Sequence, residues 1–370
     1  MKRLNIIVHS FDKSNIGGVT RVISDIANLL VDNTLHVRII SLGKVNTPAF
    51  YIKDNIELLS LNMKNYDTRS YKGVMKIFWF INSFLYLTKI KSKEKYKCEI
   101  WYSTSPPLVY LLPLLKRKGD ILIGCTHTSN TYKKNIPFFY ELNSFLLKRY
   151  EKIIALTIQD LNSYKKIGVS TKLIPNGIDL SNSLNHFTSM MEHSNKNIIF
   201  VGRLSPEKDP IEALNIFYKS KLFKQGFKLI YYGNGSLEFE LKNKIINLQL
   251  TQFVKIIKDE INIDNIYKNA YALILTSKIE GFGMVLIEAI SKGVPCVAYD
   301  CPNGPRNIIQ NGLNGYLIPI NNRELFIDSL IKIKNIKKDL NFINSIKKFD
   351  LVSIKKSYQS LLLELSENGK

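Results

Sequence analysis

The sequence predicts an α/β protein built from two doubly wound, parallel-sheet units. Three observations carry this. Short apolar, β-branched runs alternate with helical patterns along the whole chain, which is the signature of βαβ units. One polar, aperiodic stretch interrupts the series near the middle. A chain of 370 residues exceeds what one core ordinarily organises and suits two.

The first series opens with LNIIVHS (4–10) as a strand, followed by a loop and a helix from about Val19 to Val31. VRIISL, EIWYST, ILIGCTH and KIIALT are further strands, and KLIPNGID (172–179) closes the series on a Pro-Asn-Gly turn. SNSLNHFTSMMEHSNKN (181–197) reads as an interdomain linker, with His186 and His193 as solvated loop residues. In the second series NIIFVG, FKLIYYG, FVKII, YALILTS and PCVAYD are strands. Asp209 is placed to cap a helix whose first residue is Pro210. Another helix (283–292) opens behind Gly-Phe-Gly and stops at Gly293. The boundaries are therefore 1–182, a linker at 183–196, 197–350, and a last helix at 351–370. Ligands of open α/β sheets bind outside the carboxyl ends of the strands, so two facing units share one cleft.

Composition narrows the partners. The four cysteines (Cys98, Cys125, Cys296, Cys301) form no CxxC pair and lie in or beside apolar sequence, as buried free thiols of a reducing cytoplasm do. The N-terminus reads as a first strand, its apolar run being too short for a secretion signal. The net charge is +21, and it is uneven: residues 1–182 hold 27 basic and 13 acidic side chains, the remainder 25 and 18. Such a surplus calls for an anionic partner, whether nucleic acid, an acidic membrane or a phosphate-bearing substrate. No interleaved aromatic and basic motif supports nucleic acid. KIFWFINSFLYLTK (76–89) holds twelve mostly apolar residues between two lysines, too few to span a bilayer. It is either a core helix or a helix lying on an anionic membrane surface.

The chemistry concentrates in KIEGFGMVLIEAISKGVPCVAYD (278–300). A helix opening at Gly283 presents free N–H groups to an anion, and its glycines let a ligand approach the backbone. Glu288 lies about one and a half turns in, among Met284, Val285, Leu286, Ile287, Ala289 and Ile290. A carboxylate there either accepts two hydroxyls, as from a ribose diol, or is satisfied by a protein partner. Glu280 precedes the helix and stands beyond the phosphates. In VGRLSPEKD (201–209) Arg203 and Lys208 straddle a turn, one a planar fork and one a point charge, so both can aim at a diphosphate. GGVTR (17–21) offers Gly17 and Gly18 at a helix start. GNGS (233–236) presents Asn234 in a turn. His127 ends the strand ILIGCTH, where cleft residues belong. There is no DxD, HExxH or His/Cys cluster, so no metal is implied.

In this order GGVTR, PNGID, VGRLSPEKD, GNG and the E-x7-E element Glu280…Glu288 resemble the retaining glycosyltransferases of family 4, with the GT-B fold. The match covers nearly the whole chain and is strongest over 172–320. DCPNGPRNIIQNGLNGYLIP (300–319) is similar to members that build bacterial O-antigens, capsules and exopolysaccharides. The resemblance implies that Arg203 and Lys208 hold the nucleotide diphosphate, Glu288 the ribose and Glu280 the donor sugar. It gives the amides of Gly281, Phe282, Gly283, Met284 and Val285 to sugar or phosphate. Gly17 and Gly18 face the diphosphate and His127 touches the transferred sugar, while Asn234 in GNGS either touches the diphosphate or is a turn residue only. No cofactor is implied beyond a nucleotide-sugar co-substrate, UDP-linked in preference. The implied acceptor is a polyprenyl-diphosphate-linked glycan, met by a protein peripherally bound at the inner face of the cytoplasmic membrane. A sugar phosphorylase or nucleotide-sugar epimerase on the same fold is the alternative, and a basic nucleic-acid-binding protein a distant one. The chain departs from the family pattern at Asn307, often acidic there, and after His127, where Thr-Ser-Asn follows.

Overall fold

The computed structural model describes residues 2–67, 75–93, 99–127, 144–181, 196–258, 260 and 262–367. The chain divides into two compact units, one formed by residues up to Asn176 together with Val352 onward, the other by Gly177–Leu351.

In the first unit the elements run β1 (Lys2–Val8), α1 (Gly18–Leu30), β2 (Leu35–Ser41), β3 (Glu57–Ser60), α2 (Met75–Lys93), β4 (Glu99–Ser103), α3 (Pro106–Leu111), β5 (Ile121–Gly124), β6 (Lys152–Ala155), α4 (Ile158–Lys166) and β7 (Thr171–Leu173). The seven strands form one parallel sheet in the order β3-β2-β1-β4-β5-β6-β7. Strands of such a sheet are covered on both faces, so they read as continuous apolar runs rather than alternating ones. All five residues of β4 are buried accordingly.

In the second unit the order is β8 (Asn197–Val201), α5 (Pro210–Ser220), β9 (Lys228–Tyr232), α6 (Glu238–Asn247), β10 (Val254–Ile257), α7 (Ile263–Tyr267), β11 (Ala270–Leu275), α8 (Met284–Ser291), β12 (Cys296–Tyr299), β13 (Gly315–Ile318), α9 (Arg323–Lys332) and α10 (Leu340–Asn344). Its parallel sheet reads β10-β9-β8-β11-β12-β13. The caps follow the sequence signals. Asp209 accepts from the Glu212 N–H ahead of Pro210, and Gly283 takes φ 94°, a left-handed conformation suited to glycine, at the head of α8.

The last helix, α11 (Leu351–Glu367), packs on the first unit. The Tyr358 hydroxyl meets that of Tyr102 at 3.2 Å, and Glu364 pairs with Lys152 and Lys172 at 2.8 and 3.2 Å. The division between the units falls within PNGID, earlier than the polar stretch. The cause is backbone pairing: the Ile178 N–H donates to Phe349 O at 2.9 Å, and the Leu351 N–H donates to Ile178 O at 3.0 Å. These bonds tie 177–179 to 349–351. The linker residues 183–195, with His186 and His193, lie outside the described residues, as does Cys98. Cys125, Cys296 and Cys301 are buried free thiols.

Candidate functional site

Both sheets reverse their strand order once, and each reversal opens a crevice at the carboxyl ends of two neighbouring strands. In the second unit those strands are β8 and β11, which pair directly. The loop after β8 carries Arg203 and Lys208, and the loop after β11 carries Glu280. The sequence placed them on one ligand. The sheet order makes them spatial neighbours.

The two loops are bonded together. Thr276 Oγ1 donates to the carbonyl of Asp209 at 2.8 Å, and the Lys278 N–H donates to Glu207 O at 2.9 Å. Across this seam Lys208 Nζ meets Glu280 Oε1 at 2.5 Å, and Ser277 Oγ donates to the same oxygen at 2.7 Å. Glu280 is 6% exposed, so its charge is buried and compensated by one ammonium and one hydroxyl. The pair also reaches a third group. Burial pushes the Cys301 thiol up to about 12, with the Glu280 charge adding to the rise and Lys208 opposing it. Arg203 stands apart: exposed, it pairs with Glu207 at 2.8 Å.

Backbone contacts fix the loop geometry. A Cβ on Gly233 would lie 2.1 Å from Gly202 O, and one on Gly235 2.4 Å from Leu204 O. The Leu204 N–H donates to Asn234 O at 2.7 Å. GNG is thus the glycine surface on which the Arg203 loop rests, and Asn234 itself is exposed at its tip. On the other side a Cβ on Gly304 would lie 2.3 Å from Phe282 O, so the CPNGPR turn packs against the EGFG turn. Phe282 turns its ring inward, edge-on to Phe349 at 5.4 Å. Gly283 caps α8, and Met284 and Val285 are its first two residues.

Glu288 is 8% exposed in α8 and has a protein partner: the Tyr267 hydroxyl approaches Glu288 Oε2 at 3.2 Å. Tyr267 lies 21 residues upstream at the end of α7, and no local spacing marks it. Ser277 was equally unmarked.

In the first unit the reversal lies between β1 and β4. Gly17 caps α1 with φ −170°, an extended conformation that any residue adopts. A Cβ there would meet nothing within 4 Å. Gly18 is the first residue of α1. His127 follows β5 with φ 49°, and its Nε2 is buried with no hydrogen-bond partner among the described residues. Burial lowers its pKa to about 4, so the ring is neutral at pH 7. Thr128 and its successors lie outside the described residues. His9 directly follows β1, with Nε2 at 2.8 Å from Ser105 Oγ and Nδ1 at 3.1 Å from Tyr66 O. Among the described residues no three His, Cys, Asp or Glu side chains gather into a group that could hold a metal.

Comparison with known proteins agrees with this arrangement. Residues 184–349 match the family described as glycosyl transferases group 1. The amylovoran biosynthesis glycosyltransferase AmsD of Erwinia amylovora is 28% identical over 92% of this chain and 93% of its own. The UDP-Gal:α-D-GlcNAc-diphosphoundecaprenol α-1,3-galactosyltransferase of Escherichia coli is 25% identical over 74% of this chain and 78% of its own. Among solved structures, sucrose-phosphate synthase of Thermosynechococcus elongatus superposes with a TM-score of 0.80 at 16% identity, covering both chains fully. That likeness shows the fold, GT-B.

Proposed function

From the match of residues 184–349 to glycosyl transferases group 1, we propose that this chain is a glycosyltransferase that moves a sugar from a nucleoside-diphosphate sugar to a lipid-linked glycan. The donor is UDP-linked in preference and carries a hexose or N-acetylhexosamine. The acceptor is a polyprenyl-diphosphate-linked surface glycan at the inner face of the cytoplasmic membrane, which the protein meets peripherally. The reading follows from the likeness to the Escherichia coli galactosyltransferase, whose donor is UDP-Gal and whose acceptor is a diphosphoundecaprenol-linked sugar. Among the described residues no helix is long and apolar enough to cross a membrane.

The observation that carries the reading is the cluster at the β8/β11 reversal: Lys208 held by Glu280, with Glu288 further along α8. Lys208 and Arg203 bind the diphosphate and stabilise the charge that develops as it departs. In the free protein Lys208 is neutralised by Glu280, so an incoming diphosphate competes for its ammonium. Glu280, released or shared, turns to the donor sugar hydroxyls, and Glu288 takes the ribose diol. Amides 281–285 and Asn234 line the charged middle of the donor. Gly17 leaves open space for phosphate or sugar beside Gly18 at the head of α1, and His127 meets the transferred sugar as a neutral imidazole. We read the reaction as retaining, of family 4 type, with same-face attack and a donor phosphate oxygen taking the acceptor proton. The two cations do the work a metal does in other transferases.

The test is turnover. Purified protein is given a panel of nucleotide sugars with a polyprenyl-diphosphate-linked acceptor, with and without EDTA, and nucleotide release and product anomer are measured. Release that needs the acceptor, withstands EDTA and keeps the donor anomer supports the reading. Release driven by inorganic phosphate, or donor isomerisation without acceptor, contradicts it.

A further inference from the structure

Helix α2 is apolar on two faces. Trp79, Ser83 and Leu87 point inward and are 2%, 0% and 1% exposed. On the opposite side Ile77, Phe78, Ile81 and Leu85 are 57%, 59%, 48% and 59% exposed, at the three- and four-residue spacing that makes one stripe. A surface helix of a globular protein carries polar residues there, and one apolar all round is buried or meets lipid. Six large apolar side chains of this one helix are exposed in all, counting Met75 and Tyr86. An exposed patch of this kind marks an interaction surface.

The charge around the stripe selects the occupant. Residues 75–93 contain four lysines and no acid, and Lys76 and Lys89 are exposed at either end of the stripe. The run continues as KSKEKYK (91–97), in a half-chain where basic residues outnumber acidic ones 27 to 13. A second copy of the chain would bring the same lysines against these and repel. An anionic lipid surface answers both features, since acyl chains take the stripe and headgroups take the lysines. We infer that α2 is the membrane-docking element of this protein, lying in the interface plane with Ile77, Phe78, Ile81 and Leu85 below the headgroups.

This deepens the reading that the acceptor is lipid-linked and rests on it. Its test uses neither donor nor acceptor, so the two can fail separately. The full-length protein is sedimented with phosphatidylglycerol vesicles and with phosphatidylcholine vesicles. It is expected to bind the former, to release as salt is raised, and to ignore the latter. The double variant Ile81→Glu/Leu85→Glu is expected to lose about tenfold or more in partitioning. Lys76→Glu/Lys89→Glu is expected to lose less, and mainly at low salt. Both variants change exposed positions and are expected to keep the parent's melting temperature and its turnover of a water-soluble acceptor. A wild-type protein that stays in solution with anionic vesicles overturns the inference. So does equal binding by the Ile81→Glu/Leu85→Glu variant. A wild-type dimer that this variant converts to monomer also overturns it, in favour of a second copy on the stripe.

Discussion

The two sheet reversals share one topology and differ in chemistry. Each lies beside the first strand of its unit, and each collects the loops that follow two adjacent parallel strands. At β8/β11 the chain installs Lys208, Glu280 and, nearby, Arg203, all charged. After β1, β4 and β5 of the other unit it installs Gly17, Gly18, His9, Ser105 and His127, the last a neutral imidazole at pH 7. Topology therefore supplies a crevice twice, and the side chains distinguish the one proposed to take a diphosphate. The glycines differ too. Gly233 and Gly235 are required because backbone lies where a Cβ would be, whereas Gly17 faces open space.

That last contrast gives the largest expected effect. Gly235→Ala forces a Cβ into Leu204 O at φ 159° and should cost about 3 kcal/mol or more in urea unfolding. Gly17→Ala should leave stability within about 0.5 kcal/mol while lowering transfer, because the open space it fills is the one proposed for the ligand. Equal stability losses would erase the distinction.

His127 comes next. Its folded pKa of about 4 lies below the ordinary 6.5, so the unfolded chain binds more protons between those values. Stability from this group is complete above pH 6.5 and is lost as pH falls toward 4. With the residue only partly buried, the loss is on the order of 1–2 kcal/mol. His127→Gln should flatten melting temperature against pH over that window, and an unchanged slope would remove the buried neutral imidazole from the account.

The smallest effect concerns Glu288. Tyr267→Phe removes the hydroxyl that holds one carboxylate oxygen and should weaken UDP binding about three- to tenfold. Binding of 2′-deoxy-UDP should fall less, since it lacks one of the hydroxyls Glu288 is assigned to read. Equal losses by calorimetry would make Tyr267 a packing residue only.

Much of this was legible from residue order. Apolar runs of five to seven residues named the strands, Asp209-Pro210 and Gly283 named two helix starts, and VGR-x4-K with E-x7-E named the charged loops. What was not legible depends on sequence-distant partners. Lys208 and Glu280 are 72 residues apart, and nothing in either motif says that they bond to each other before any ligand arrives. Tyr267 is hidden for the same reason. The unit boundary moved to Asn176 because Ile178 pairs with 349–351. The periodicity of 76–89 could not choose between core and surface, because apolar residues occupy both faces of α2.

The central claim is that Glu280 and Lys208 form a pair that a donor diphosphate must compete with. Calorimetric titration of UDP into wild type and Glu280→Gln tests it most directly. The variant keeps the Ser277 contact and loses the charge that neutralises Lys208. The account predicts UDP binding tighter by roughly three- to tenfold, with transfer lost. Binding that is unchanged or weaker in Glu280→Gln would contradict it.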